Sequence, residues 1–332
     1  MRMPLVALAV AVALAACASA PPPLPSSAVQ AAGGIAIAPD AVLIPGVFPS
    51  DDEPDGNTVV LRGREGLIVF DTGRHRAHTQ RILDLAKASG MPVVAIVNSH
   101  WHLDHVSGNA MLRDAYPQAH AYASHAIEQA MPGFLADERR QLVEAIARHQ
   151  VPDAQLPSSN EEIARIDLGS QLFPDRPVET GGMRTLAGRP LQVGLTRDVV
   201  TAGDVWLYDP ATKLLLAGDL VTLPAPLLDT ACAPRWSAQL ATLDAVPFAT
   251  LVPGHGAVMD HAGFARYRIA FDHLLACAAG KDSTKACSDG WLRDIGDLVP
   301  AGDEKLARGL LGYYIEQVLR APPQKRDRYC PA

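Results

Sequence analysis

The chain is poor in aromatic residues, 5% of 332 positions, and has no excess of base: 29 Lys and Arg face 36 Asp and Glu, a formal charge of −7. A nucleic-acid partner calls for a basic face, so composition speaks against that class. No apolar run approaches the ~20 residues that cross a bilayer. The stretch Leu5 to Ala16, behind the charge of Arg2, is short and reads as an export signal instead of an anchor. No internal repeat of useful length is visible, and none of the five cysteines stands in metal-ligand spacing. What is present is 48% apolar sequence, enough for one large domain with an appendage.

Two readings compete at the end of the export signal. Ala18-Ser19-Ala20 suits an ordinary signal peptidase, whereas Leu14-Ala15-Ala16-Cys17 resembles the lipobox of bacterial lipoproteins, whose cysteine is acylated and becomes the mature N-terminus. The lipobox is preferred, because Pro21-Pro22-Pro23-Leu24-Pro25 follows as a stiff spacer. Residues 1–16 are then a lipoprotein signal peptide and 17–40 a Pro-rich tether. The protein is expected to be exported to the periplasm and to touch membrane only through lipid on Cys17. Ala18 resembles the residue that follows the cysteine in lipoproteins sorted to the outer membrane. Cys232, Cys277, Cys287 and Cys330 remain, and in an oxidising compartment they allow three pairings or stay free. A short polar stretch between Cys277 and Cys287 reads as a loop closed by a local bridge, which leaves Cys232 for Cys330.

Apolar runs at 58–61 and 66–70, separated by turn residues, predict a hairpin. Helical spacing follows from His78 to Ser89, stopped by Gly90, and then a continuous Val/Ile strand from Pro92 to Val97. His120 to Ala123 predicts a strand and 126–149 a helix broken at Met131-Pro132-Gly133. Further strands are expected at 191–193, 204–208, 214–217 and 250–252, with helices at 236–245, 264–278 and 303–319. The tail from Pro322 is too charged and proline-rich for core.

The reactive residues are concentrated at His100-Trp101-His102-Leu103-Asp104-His105, directly after the buried strand. One histidine alone is usually structural, but three with a carboxylate on one loop point to metal. Imidazole and carboxylate suit zinc, iron or manganese. His100 and His102 project together while Asp104 and His105 are turned elsewhere, so two adjacent ions are the natural arrangement.

Together with three later motifs this cluster resembles the metallo-β-lactamase superfamily over about Val42 to Val258. Asp71-Thr72-Gly73 looks like the family's strand-terminal motif, Gly218-Asp219 its bridging aspartate and Pro253-Gly254-His255-Gly256 its final histidine motif. His105-Val106-Ser107-Gly108-Asn109 most resembles a periplasmic branch of metal-dependent hydrolases of a quinoprotein relay system. The resemblance implies a four-layer αββα sandwich, with the domain at 41–262 and a C-terminal helical extension at 263–332. It implies His100 and His102 as ligands of one ion, Asp104, His105 and His255 of the other, Asp219 as the bridge and Asp71 as a support for a ligating imidazole.

One motif departs from the family. Its usual H-T-x-G-D, whose histidine completes the first metal site, stands here as Val200-Thr201-Ala202-Gly203-Asp204. The first site keeps three protein ligands, a number that catalytic zinc tolerates. Asp198 is a candidate substitute, against the plainer reading of a solvent-facing aspartate. The implied activity is attack of metal-bound hydroxide on an ester, lactone, thioester or lactam carbonyl of a small molecule, with Asp104 handling the proton. A β-lactamase in the strict sense, an iron oxygenase of the same fold, and a tethered metal- or partner-binding protein with degraded catalysis are the alternatives. His75 and His78 are expected to be exposed, and His120, His125, His149, His261 and His273 structural. Trp101 either borders the cleft or packs. Arg139-Arg140, on a helix read as surface or lid, either attracts an anionic substrate or is simply solvated.

Overall fold

Alternating side chains decide how the strands stack. In the computed structural model, which describes residues 24–49 and 52–330, β1 (Ile35–Ala38), β2 (Ala41–Ile44), β3 (Thr58–Arg62), β4 (Leu67–Phe70), β5 (Val93–Val97) and β6 (His120–Tyr122) form one sheet in chain order. A second sheet contains β7 (Gly182–Leu186), β8 (Arg189–Thr196), β9 (Asp204–Asp209), β10 (Leu214–Thr222) and β11 (Thr250–His255), in the order 11-10-9-8-7. Successive residues face opposite sides of a strand. Val59, Leu61, Ile68 and Phe70 therefore turn inward to meet Val193, Leu207, Leu216 and Val252 of the other sheet. Their neighbours Val60, Val69 and Ile96 turn outward against Val29, Ile82, Leu85 and Leu112 on helices. The far face of the second sheet, with Leu215 and Leu251, is covered by Trp236, Phe264, Tyr267 and Phe271. Helix, sheet, sheet and helix make four layers, the αββα sandwich expected.

The segment read as tether enters the fold. Ser26–Ala31 is a helix that buries Ala28 and Val29, and β1 pairs antiparallel with β2 at the sheet edge. Cys17 and the export signal lie outside the described residues. Among those described, no helix is long and apolar enough to cross a membrane. The helices His261–Ala279, Thr284–Ile295 and Glu304–Tyr314 bring Phe264, Trp291 and Leu311 into the same apolar cluster as Leu215 and Leu251. The C-terminal helices thus form part of the outer layer. Cys277 is bonded to Cys287 and Cys232 to Cys330. Cys287 lies one turn inside the helix Thr284–Ile295, whose first turn is capped by Ser283 accepting from the Ala286 N–H at 3.1 Å, so the bridge clamps two helices.

Two features position the site. β4, β5 and β6 run parallel to one another, as do β10 and β11. The carboxyl ends of β4 and β5 in one sheet and of β10 and β11 in the other then open at a shared rim, where α/β folds place ligands.

Candidate metal centre

Each site residue leaves a strand end. Asp71 follows β4 with φ +58°, a left-handed turn that reverses its side chain under the histidine loop. His100 and His102 lie on the loop after β5, and the short helix Leu103–Val106 carries Asp104 and His105. Asp219 lies within β10 after Gly218, and His255 closes β11. Two glycines are required by close approach. A Cβ at Gly254 would lie 1.9 Å from Asp219 Oδ1, and one at Gly218 would lie 2.3 Å from the Ser99 Cβ.

The hydrogen bonds fix the free edge of each ring. Asp71 accepts from the Ser99 N–H and Oγ–H, both at 2.7 Å, and from His105 Nδ1 at 2.8 Å. Because Ser99 donates to Asp71, it accepts from His100 Nδ1–H at 2.9 Å. His100 and His105 are thereby left with Nε2 as the lone-pair nitrogen. Thr230 donates to the Val200 carbonyl at 2.8 Å, so it accepts from His102 Nε2–H at 2.9 Å and leaves His102 Nδ1 free.

The freed atoms converge. His100 Nε2, His105 Nε2, both ring nitrogens of His255 and both oxygens of Asp219 are buried without a hydrogen-bond partner. His105 Nε2 is 3.3 Å from Asp104 Oδ2 and 3.2 Å from Asp219 Oδ1; His255 Nε2 is 2.9 Å from Asp104 Oδ2. His100 Nε2 is 3.7 Å from Asp219 Oδ2. Ligand atoms on a tetrahedron with bonds of ~2.1 Å stand about 3.4 Å apart. Among the described residues two groups fit an ion, His100 with His105 and Asp219, and Asp104 with His105 and His255. His102 belongs to neither three-residue group, although its ring lies 4.5 Å from that of His100.

Electrostatics agree with a cation. Burial drives charge off His100 and His102 and holds both below the ordinary imidazole range. Burial also opposes charge on Asp104 and Asp219, yet His105 and His255 outweigh it and hold both carboxyls below the usual carboxylate range. Two ionised carboxylates demand positive charge beside them. A proton on His105 answers that demand, but only a cation among the same atoms also engages the lone pair of His100 Nε2.

Several expectations change here. Asp198 does not replace the missing histidine: it turns outward to Arg235, at 3.1 Å, on the surface. Val200 is 1% exposed in the apolar cluster, and its N–H donates to Asp204. His78 is buried instead of exposed, bonded to Thr58 Oγ1 at 2.8 Å, and burial pushes its pKa down to about 4. Arg139 and Arg140 pair with Asp167 and Asp137 on the exposed face of their helix. It is Glu138, on the other face, that lines the cleft above the metal groups.

That cleft, about 340 Å³, has Asp104 and Asp219 in its floor and Trp101 in its wall. Sequence reasoning missed three contributors. Arg74 is a buried guanidinium paired with Glu162 and 3.6 Å from Asp104. Thr230 and Ser99 are the hydroxyls that orient His102 and His100. Only the adjacency of Ser99 to His100 signalled any of them.

Comparison with known proteins adds the following. Over 57 residues the chain is 40% identical to a hydroxyacylglutathione hydrolase of Gloeobacter violaceus (strain ATCC 29082 / PCC 7421), 17% of this chain and 23% of the relative. Over 52 residues it is 44% identical to one of Synechococcus sp. (strain JA-3-3Ab), 16% of this chain and 21% of the relative. These matches span less than a quarter of the relatives' length. The fold is similar to that of the stereoselective inverting sec-alkylsulfatase Pisa1 from Pseudomonas sp., with a TM-score of 0.55 and 18% identity over 87% of this chain and 50% of that one. It is also similar to a metallo-beta-lactamase from Pontibacter korlensis, with a TM-score of 0.52 and 19% identity over 72% of this chain and 98% of that one. Residues 51–255, more than half of the chain, match the model of one family, and the protein belongs to the metallo-β-lactamase superfamily.

Proposed function

We propose that the chain is a metal-dependent hydrolase that adds water across an ester, lactone, thioester or lactam bond. The observation that carries this reading is the set of unpartnered buried nitrogens and oxygens at the floor of an open cleft. His100, His102, Asp104, His105, Asp219 and His255 would hold the metal, and their nitrogen and oxygen donors suit zinc first, with manganese or iron as alternatives. When bound, such an ion acidifies water and polarises a carbonyl. The chain supplies the rest. Asp71 and Ser99 lock two imidazoles in one tautomer, and Thr230 locks a third. Asp104, in the cleft floor, is the carboxylate that takes a proton from the attacking water. It returns that proton to the departing alkoxide, thiolate or amine as the bond to the carbonyl carbon breaks.

Membership of a superfamily with hydrolase relatives supports this, and the hydroxyacylglutathione hydrolases bring thioesters into the substrate panel. The similarity to alkylsulfatases adds a sulfate ester as a control. Export, with lipid on Cys17, belongs to the same proposal; a mature N-terminus at Pro21 without lipid, seen by mass spectrometry, would reject it. The test of the activity is metal content after dialysis, measured beside turnover of esters, lactones, thioesters, lactams and a sulfate ester. Bound metal with turnover of a carbonyl substrate supports the reading. No metal and no turnover favour a tethered binding protein.

A further inference from the structure

Aromatic residues are scarce in this chain, yet four gather in one place. Phe48, Trp101, Phe134 and Tyr314 line the cleft over the metal groups, with the Trp101 and Phe134 ring centroids 5.3 Å apart. The same walls carry carboxylates. Glu53 and Asp229 stand exposed at the rim, and Glu138 is half-buried between them and the floor. Tyr314 donates to Asp229 at 2.5 Å, which ties the C-terminal helix to this rim.

Positive charge does not balance them. Among the described residues the cleft lining includes one strongly basic side chain, Arg74, and Glu162 and Asp104 already engage it. Glu138 has no cationic partner, and burial together with Glu162, Glu53 and Asp229 raises its carboxyl to about 7 despite the opposing pull of Arg74. The fold holds carboxylates close together and leaves their repulsion unrelieved. Below them Asp219, 2% exposed and without a hydrogen-bond partner on either oxygen, opens into the same cavity, so a ligand seated at the metal groups lies against these walls.

We propose that the cleft takes a carbonyl substrate bearing a protonated amine or quaternary ammonium group, seated among the aromatic rings and facing Glu53, Glu138 and Asp229. The inference rests on the hydrolase reading for the carbonyl and on the cleft walls for the cation. Aromatic faces attract organic cations through the ring quadrupole, most strongly where water is excluded, and nearby carboxylates add to that attraction. At the rim, away from the metal groups, an anionic group meets carboxylates and, among the described residues, no unpaired guanidinium or ammonium of the cleft lining.

The test compares two esters of the same acid in the metal-loaded protein, one with a trimethylammonium-ethyl group and one with its uncharged tert-butyl-ethyl isostere. The cationic ester should show a KM about tenfold lower. Glu53→Gln with Glu138→Gln should remove most of that ratio, read as the KM of the cationic ester against that of the neutral one in the same variant, with metal content unchanged, and Phe134→Leu should reduce it. Equal KM values would overturn the proposal. A binding arm separates it from the hydrolase reading: calorimetry with butyltrimethylammonium against 3,3-dimethylbutanol needs no turnover. Preferential binding of the cation without hydrolysis of any ester would keep the cation site and reject the hydrolase. Equal or absent binding of both probes would reject the cation site whatever the turnover.

Discussion

Val200 decides more about this site than any residue that is present for chemistry. Where the H-T-x-G-D motif that this segment resembles would have a histidine, the chain has an apolar side chain packed in the core, and Asp198 turns away to Arg235. With the ligands divided as the family resemblance implies, His100 and His102 on one ion, Asp104, His105 and His255 on the other and Asp219 between them, ligand count predicts unequal sites. The group around Asp104, His105, Asp219 and His255 should keep its ion through dialysis, and the His100 side should lose its ion first, giving about one metal per chain. Val200→His should move the count toward two, unless the packed surroundings of Val200 refuse the larger ring. Two ions held tightly by the unaltered protein would overturn this. Asp71→Asn, which weakens the support beneath His105 and Ser99, should lower metal affinity by about 10–100-fold, read by competition with a chromophoric chelator. Glu138 gives the site a pH dependence. With its carboxyl near 7, it loses its proton between pH 6 and 8, so KM for the cationic ester should fall across that interval while that of the neutral isostere stays flat. Glu138→Gln should abolish the difference. The folded chain also holds this proton between pH 4.5 and 7, where the unfolded chain has released it, so the group's contribution to stability declines as pH rises through that window. Urea midpoints of the parent and Glu138→Gln, compared across that window, measure the decline.

At the scale of elements, what could be read from the sequence followed burial. β3, β4, β5, β9 and β10 were legible because they are nearly all buried and appear as short unbroken apolar runs. β7 was not, because its residues Gly182 to Thr185 are mostly exposed on an edge and show no apolar face. The helix Leu156–Ile166 buries Glu162 and Arg165, charged residues that look like surface in sequence and are paired in the fold at 2.9 Å. The metal loop was legible because its ligands are adjacent. The cleft walls were not, since Phe48, Glu138 and Tyr314 come from three distant segments that only the fold joins. The short disulfide makes a separate prediction: replacing Cys277 and Cys287 with serine should cost up to about 3 kcal/mol, seen as a lower denaturant midpoint, with metal content unaffected.

For the whole molecule, the C-terminal helices belong to the core and also to the site. Leu311 is buried in the apolar cluster while its neighbours Leu310 and Tyr314 face the cleft. The Cys232–Cys330 bond closes a loop of 98 residues and fastens the tail two residues from Thr230, the hydroxyl that orients His102. Cys330→Ser should therefore cost up to about 5 kcal/mol by loop closure and leave the Asp104, His105 and His255 group able to bind metal.

The bond has a further consequence, in time. All the proposed metal ligands precede Tyr314 and Cys330 in the chain, so on the export reading the wall made by Leu310 and Tyr314 is fastened only once the whole chain has reached an oxidising compartment. A chain halted after residue 262 would hold every motif by which the superfamily is known and still lack Leu310 and Tyr314. The Tyr314 side of the cleft wall would then be the last part of the site to be secured, when an oxidant joins Cys330 to a loop made some hundred residues earlier.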